Sequence, residues 1–250
     1  MSFKNAQASH EHSRQVLDLL YEYDSFLDSL SVVADFGCGA GLDSAWWAGL
    51  QTRDDPPEPR NLIVYAVDQN ISQVDQRARY LHNVKPIEAN FEHDHVIPRP
   101  CDLLWAHDSF QYCLNPIQTL RYWNQQINHN GMLVLSIPQN IFSQYNRLQT
   151  RSYNGIYHNY TLVNLMYMLA VSGFDCRDAY FYKEANDPWL YAAVYKTSDP
   201  LDAKTTNWYT LAEQNLINDS TIASLNAHGY VRQEDLIVTW LDKDFYRIKE

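Results

Sequence analysis

Apolar residues fall into two alternating patterns along the chain. Short uninterrupted runs occur at Ser31–Phe36, Asn61–Val67 (NLIVYAV), Asp102–Ala106 (DLLWA) and Met132–Ile137 (MLVLSI). They are too brief for stable helices and mostly apolar, with polar residues only at Ser31, Asp35, Asn61, Asp102 and Ser136, which predicts strands buried on both faces. Lys85–Ala89 adds a shorter strand. Between these runs the apolar spacing is helical. Val16, Leu19, Leu20, Tyr23, Phe26, Leu27 and Leu30 predict a helix over 11–30. Further helices are expected at 42–50, 71–83 and 116–128, with Pro116 in its favoured first position and Gly131 as terminator of the last. A helix over 158–172 stops at Gly173, and strands over 174–183 and 188–196 follow. The alternation predicts an α/β chain, doubly wound, with a mostly parallel seven-stranded sheet that closes on an antiparallel C-terminal hairpin.

Three segments interrupt this rhythm. Residues 51–60 (QTRDDPPEPR) are charged and proline-rich and read as a surface loop. Residues 139–156 are polar and read as an insertion over a site, with Tyr145, Tyr153, Tyr157 and Tyr160 as candidate lid aromatics. Residues 201–250 differ in texture and predict a helical extension to a domain over 1–200, broken at Gly229. In its last helix Leu236, Ile237, Trp240, Leu241, Phe245 and Ile248 share one face. That face is expected to seal the domain, to extend a lid, or to form a homodimer or protein-partner contact.

Composition narrows the function classes. The chain has 250 residues, 46% of them apolar, which is enough for a sizeable core. The formal charge of −11 repels phosphate backbones and disfavours nucleic acid as a partner. Cys38, Cys101, Cys113 and Cys176 are scattered without a C-x-x-C pair, so neither a zinc site nor a disulfide framework is expected. Reduced thiols and an N-terminus without a signal-like apolar stretch suggest a cytoplasmic protein. No run approaches the roughly 20 apolar residues of a membrane span.

The densest chemistry lies in SVVADFGCGAGLDSAWW, residues 31–47. A buried strand ends in Asp35, and a turn holding Gly37, Gly39 and Gly41 opens into a helix. Bare peptide and free helix N–H groups at the carboxyl end of a first strand suit a nucleoside. The spacing departs from the dinucleotide fingerprint, which needs a small residue where Leu42 stands, and no G-K-[ST] triphosphate loop follows. Asp68 ends the second strand, where a carboxylate accepts from both hydroxyls of a ribose.

Four segments, in order, resemble the class I S-adenosylmethionine-dependent methyltransferases over about residues 10–197. They are ADFGCGAG, VDQN, ANFE, and CDLLWAHDSFQY followed by GMLVLSIP. The last looks most like the small-molecule branch of that family. The resemblance implies S-adenosylmethionine as cofactor and a small-molecule acceptor methylated on N, O or C by in-line displacement. It implies that Asp35 orders the glycine turn and the methionine ammonium group. Gly37 and Gly39 would meet the methionyl and ribose parts, with Gly41 beside them. Asp68 would hold the ribose, Gln69 the adenine face or ribose edge, and Asn90 with the Phe91 backbone the adenine edge. His107 would contact cofactor or substrate, and His107 or Asp108 would be the general base. Gln111, Tyr112, Gln139 and Tyr153 would line the acceptor pocket. Asp108 and Asn140 lack a third carboxylate, since Gln139 stands in its place, so no metal is expected. The segment HDSF lacks the proline tetrad of amino-methylating DNA enzymes. The competing readings are a non-enzymatic binding or assembly protein that retains the cofactor, and a nicotinamide oxidoreductase.

Overall fold

A computed structural model describes residues 13–14, 16–18, 20, 25–52, 54, 56–138, 158, 160–182 and 189–238. Seven strands form one sheet: β1 (Val32–Phe36), β2 (Ile63–Asp68), β3 (Val84–Glu88), β4 (Cys101–His107), β5 (Ile127–Pro138), β6 (Phe174–Tyr182) and β7 (Trp189–Lys196). Their order is β3-β2-β1-β4-β5-β7-β6. β1 to β5 pair in parallel, whereas β7 runs antiparallel to both β5 and β6. The expected fold class is therefore the observed one. The chain winds outward from β1 to β3 and returns to start β4 on β1's other side. This leaves a crevice above the carboxyl ends of β1 and β4, the place where doubly wound sheets bind ligands.

Each face of the sheet has its own apolar core. One contains Ala34, Phe36, Leu104, Ala106, Leu133 and Leu135 and is covered by α3 (Pro116–Gln126) and α4 (Leu162–Val171). The other contains Val33, Val64, Leu103, Trp105 and Val134. It is covered by Val16, Leu17 and Leu20, by Leu27 and by Trp47 of α1 (Leu42–Ala48). All five residues of β1 are buried, Asp35 included, so its largely apolar run reflects two covered faces.

Several boundaries differ from expectation. The described residues of 13–20 are helical, but 25–29 form a 3₁₀ turn, so one helix does not run through 11–30. The expected helix over 71–83 is broken into a 3₁₀ turn at Ile71–Gln73 and α2 (Gln76–Tyr80). Two side-chain caps cause the break: Asn70 accepts from Ser72 N and Asp75 accepts from Arg77 N. α3 ends at Gln126, before Gly131. Gly131 sits instead in the irregular start of β5, where the β4 pairing jumps from Cys101↔Ile127 to Leu103↔Met132. A Cβ on Gly131 would lie 2.8 Å from the Asp102 carbonyl oxygen. α4 begins at Leu162 because Thr161 and Asn164 form a reciprocal capping box, and Gly173 follows its end with φ +87°.

Residues 201–238 add α5 (Trp208–Glu213) and α6 (Asp219–His228). Their Leu211, Leu216, Ile217, Leu225, Val231, Leu236 and Val238 join the core that α3 and α4 cover. Cys176 N donates to the Leu216 carbonyl, and Ile217 forms a bridge with Cys176 on the outer edge of β6. Leu236 and Val238 are buried while Ile237 between them is exposed, which is an extended alternation. The expected helical face starting at Leu236 thus does not hold for 236–238, and its remainder lies outside the described residues. No helix among the described residues is long and apolar enough to cross a membrane.

Candidate active site

The turn after β1 is fastened to β2. Gly37 N and Cys38 N both donate to the Val67 carbonyl, at 2.8 and 3.0 Å, and Gly39 N donates to Asp68 Oδ2 at 3.0 Å. Asp68 Oδ1 accepts from Asn70 N at 2.9 Å, so both of its oxygens are oriented by backbone and keep lone pairs for a ligand. Gly37 and Gly39 have φ of +80° and +51°, left-handed values that exclude most side chains. The two differ in surroundings. A Cβ on Gly37 would lie 2.3 Å from Ser109 Cβ, whereas one on Gly39 would meet nothing within 4 Å. Gly37 therefore closes the turn against β4's exit, and Gly39 faces open space. Gly41 packs closely on Val74 and α2: an added Cβ there would stand 3.0 Å from Val74 Cγ1 and 3.3 Å from Ala78 Cβ.

Asp35 lies beneath this turn, 3% exposed, and accepts from Ser44 Oγ at 2.5 Å. Burial, and next the charge of Asp43, push its carboxyl well above the usual range; Ser44 partly offsets this and Asp68 adds to it. Asp43 accepts from Ser13 Oγ at 2.7 Å and from Trp105 Nε1 at 2.9 Å, which ties α1 to the N-terminal segment and to β4. Burial, Asp35 and Asp68 also push the Cys38 thiol up. Three carboxylates thus share the glycine turn, and among the described residues no lysine or arginine is a main cause of the shift of Asp35.

The adenine-edge candidates lie past β3. Asn90 Oδ1 accepts from Glu92 N at 2.9 Å, as a turn asparagine does. The Phe91 ring is in the core, stacked 6.4 Å from Phe36, and its carbonyl accepts from Trp123 Nε1 at 2.8 Å. Gln69 is exposed beside Asp68.

β4 delivers the remaining candidates. The His107 ring lies between two indoles, 6.2 Å from Trp105 and 5.4 Å from Trp189, with planes within 20° of parallel. Asp108 follows with φ +52°, and its N–H donates to the Ser136 carbonyl of β5 at 2.9 Å. Ser109 Oγ donates to the Phe36 carbonyl at 2.8 Å, so this exit is bound to the end of β1. Gln111 is fully buried, and its Nε2 donates to Asp108 Oδ1 at 2.5 Å. Burial raises the Asp108 carboxyl to about 6 despite the Gln111 amide. The Tyr112 phenol is pushed up by burial and then by the Asp108 charge. The structure therefore brings Asp108, Gln111 and Tyr112 into one cluster beside the glycine turn.

Gln139, Tyr153, Asn140, Tyr145 and Tyr157 lie outside the described residues. Tyr160 is a core residue and not a lid aromatic: it is 3% exposed and packs 5.4 Å from Phe110. Among the described residues there is no group of three or more His, Cys, Asp or Glu side chains arranged to hold a metal ion. Sequence reasoning missed Asp43, Ser44 and the two indoles around His107. Asp43 and Ser44 read in sequence as ordinary first-turn helix residues, and only the fold shows them beside Asp35.

No protein-family model matches the chain, and no curated protein sequence does. Solved structures do. The N-methyltransferase NodS from Bradyrhizobium japonicum WM9 is similar with a TM-score of 0.53 at 14% identity, over 76% of this chain and 96% of that one. The Burkholderia thailandensis 1,6-didemethyltoxoflavin-N1-methyltransferase, solved with its substrate and S-adenosylhomocysteine, gives 0.53 at 14% identity, over 78% and 87%. The magnesium protoporphyrin IX methyltransferase of Synechocystis PCC 6803, solved with S-adenosylhomocysteine, gives 0.56 at 14% identity, over 79% and 89%. By strand order and by these likenesses, the chain has the fold of the class I S-adenosylmethionine-dependent methyltransferases.

Proposed function

We propose that the chain is an S-adenosylmethionine-dependent methyltransferase acting on a small-molecule acceptor. The observation that carries this reading is the charge of the glycine turn. Asp35, Asp43 and Asp68 surround bare peptide, and among the described residues no lysine or arginine is a main cause of the shift of buried Asp35. A pyrophosphate would meet repulsion there. A nucleoside bearing sulfonium and ammonium groups supplies the missing positive charge. The donor set therefore fits this cofactor and disfavours a nicotinamide dinucleotide.

Within this reading Asp68 holds the ribose hydroxyls, and the open side of Gly39 admits the nucleoside to the peptide plane. Asp35, fixed by Ser44, orders the turn and attracts the ammonium group. Asn90 and Phe91 border the adenine. When bound, the cofactor supplies an electrophilic methyl group. The protein's task is then to align an acceptor with it and exclude water. The likenesses to methyltransferases solved with S-adenosylhomocysteine support the cofactor, and the local chemistry of the acidic turn supports it independently.

Calorimetry tests the reading. S-adenosylmethionine and S-adenosylhomocysteine are expected to bind, NAD is not, and Asp68→Ala is expected to weaken binding at least tenfold. Folded protein that ignores both sulfur nucleosides at millimolar concentration, or prefers NAD, overturns it. Formation of S-adenosylhomocysteine with a metabolite extract then separates an enzyme from a binding protein.

A further inference from the structure

The turn after β4 holds a polar cluster to which the cofactor reading above assigns no role. It abuts the glycine turn directly, since Gly37 and Ser109 leave no room for a methyl group between them. Asp108 is fixed there in a left-handed conformation by the Ser136 carbonyl and by Gln111. Non-glycine residues in that conformation cluster where a side chain must be presented to a site. Gln111 is fully buried, yet its Oε1 has no hydrogen-bond partner among the described residues. An orphaned buried carbonyl oxygen beside a carboxylate calls for a ligand that donates hydrogen bonds.

We propose that Asp108 accepts the proton of the methyl acceptor, whose nucleophile is a neutral or cationic N–H or O–H group and not a carboxylate. This deepens, and rests on, the methyltransferase reading. As the acceptor's X–H bond breaks, its electron pair stays on X and forms the bond to the methyl carbon. The electron pair of the severed S–C bond remains on sulfur. The proton moves to Asp108 Oδ2, because Gln111 Nε2 occupies Oδ1. Gln111 Oε1 receives a second donor of the acceptor and orients it. A carboxylate acceptor brings no proton and is repelled by Asp108.

Burial suits Asp108 to this work, because a base that ionises at about 6 is largely charged at neutral pH and still basic enough to take a proton. The Tyr112 phenol, on the same turn, is the titratable group that its charge perturbs. His107 precedes it on β4, between Trp105 and Trp189. β5 meets it through the Ser136 carbonyl, and among the described residues no lysine or arginine contributes to its shift.

The test compares wild type, Asp108→Asn and Gln111→Leu. All three are expected to bind S-adenosylhomocysteine within threefold of one another by calorimetry. Wild type that does not bind it overturns the methyltransferase reading and this proposal with it. In the S-adenosylhomocysteine-loaded protein, carboxyl ¹³C spectra are expected to show one resonance with a midpoint near 6, absent in Asp108→Asn and moved upward in Gln111→Leu. Absence of that resonance from wild type, with the nucleoside bound, overturns the proposal alone. Release of S-adenosylhomocysteine is then followed with panels of primary amines, phenols and carboxylic acids. Amines or phenols are expected to react, with a rate that rises through the same pH. Asp108→Asn is expected to lose that rise and roughly 10²–10⁴-fold in rate. Turnover of carboxylic acids alone, or a wild-type rate in Asp108→Asn, overturns it.

Discussion

Asp108 combines a left-handed backbone with a half-buried carboxyl that ionises at about 6, and both features work against folding. Its folded pKa is raised above the unfolded value near 3.9, so the folded state binds the extra proton between about pH 4 and 6. Stability is therefore highest below pH 4 with respect to this group and falls as pH rises through 6. Asp108→Asn removes the charge and keeps a residue that tolerates the left-handed conformation. It is expected to stabilise the protein by roughly 1–3 kcal/mol at pH 7 and by little near pH 4. Urea melts at both pH values check this. Two glycines make a second contrast. Gly37→Ala places a methyl group 2.3 Å from Ser109 Cβ and is expected to lose several kcal/mol, about the cost of overpacking plus backbone strain. Gly39→Ala meets no atom within 4 Å and is expected to cost only about 1–2 kcal/mol of stability, yet to weaken the sulfur nucleoside at least tenfold. Thermal melts beside calorimetry separate the two effects. Asp35, Gly37, Gly39 and Asp68 are legible in the sequence because strand ends and glycine spacing are local features. Asp43 and Ser44 are not. Their role depends on which strand lies next to β1, and that is a matter of topology.

Among the elements, β1 is held in register by a side chain from its neighbour. Asp102 Oδ2 accepts from Ser31 N and Val32 N, each at 2.9 Å, and Oδ1 accepts from Asn128 Nδ2 at 2.8 Å. Three bonds thus converge where β1, β4 and the irregular start of β5 meet. Asp102→Ala is expected to cost about 1–3 kcal/mol, with the hydrogen-exchange protection of β1 falling more than that of β7. Strand interiors are readable from apolar runs alone. The boundaries that differ are set by side-chain caps, as at Asn70 and Asp75, or by close backbone approach, as at Gly131. Neither leaves a periodic trace in the sequence.

For the whole molecule, the doubly wound sheet follows from the alternation of buried strands and helices, and its order from the fold. The extension is less legible, because its apolar residues complete a core whose other half lies elsewhere in the chain. Leu211, Leu216, Ile217 and Leu225 pack with α4 and β6, and Thr221 Oγ1 lies 3.4 Å from Met166 Sδ. Removing residues 201–250 is expected to expose this face and lower the melting temperature by more than 10 °C, with aggregation; an unchanged melt would show that the cover is dispensable. The full chain is expected to unfold in one transition, readable by calorimetry.

The bond from the Trp105 indole to Asp43 has an experimental use. Trp46 and Trp47 lie 4.9 Å apart, and Trp47 lies 5.9 Å from Trp105. Three fluorophores are thus wired to an acid at the rim of the crevice beside the glycine turn. Occupancy of the crevice should tint the protein's own ultraviolet emission, so a dye-free fluorimeter titration can follow it in real time.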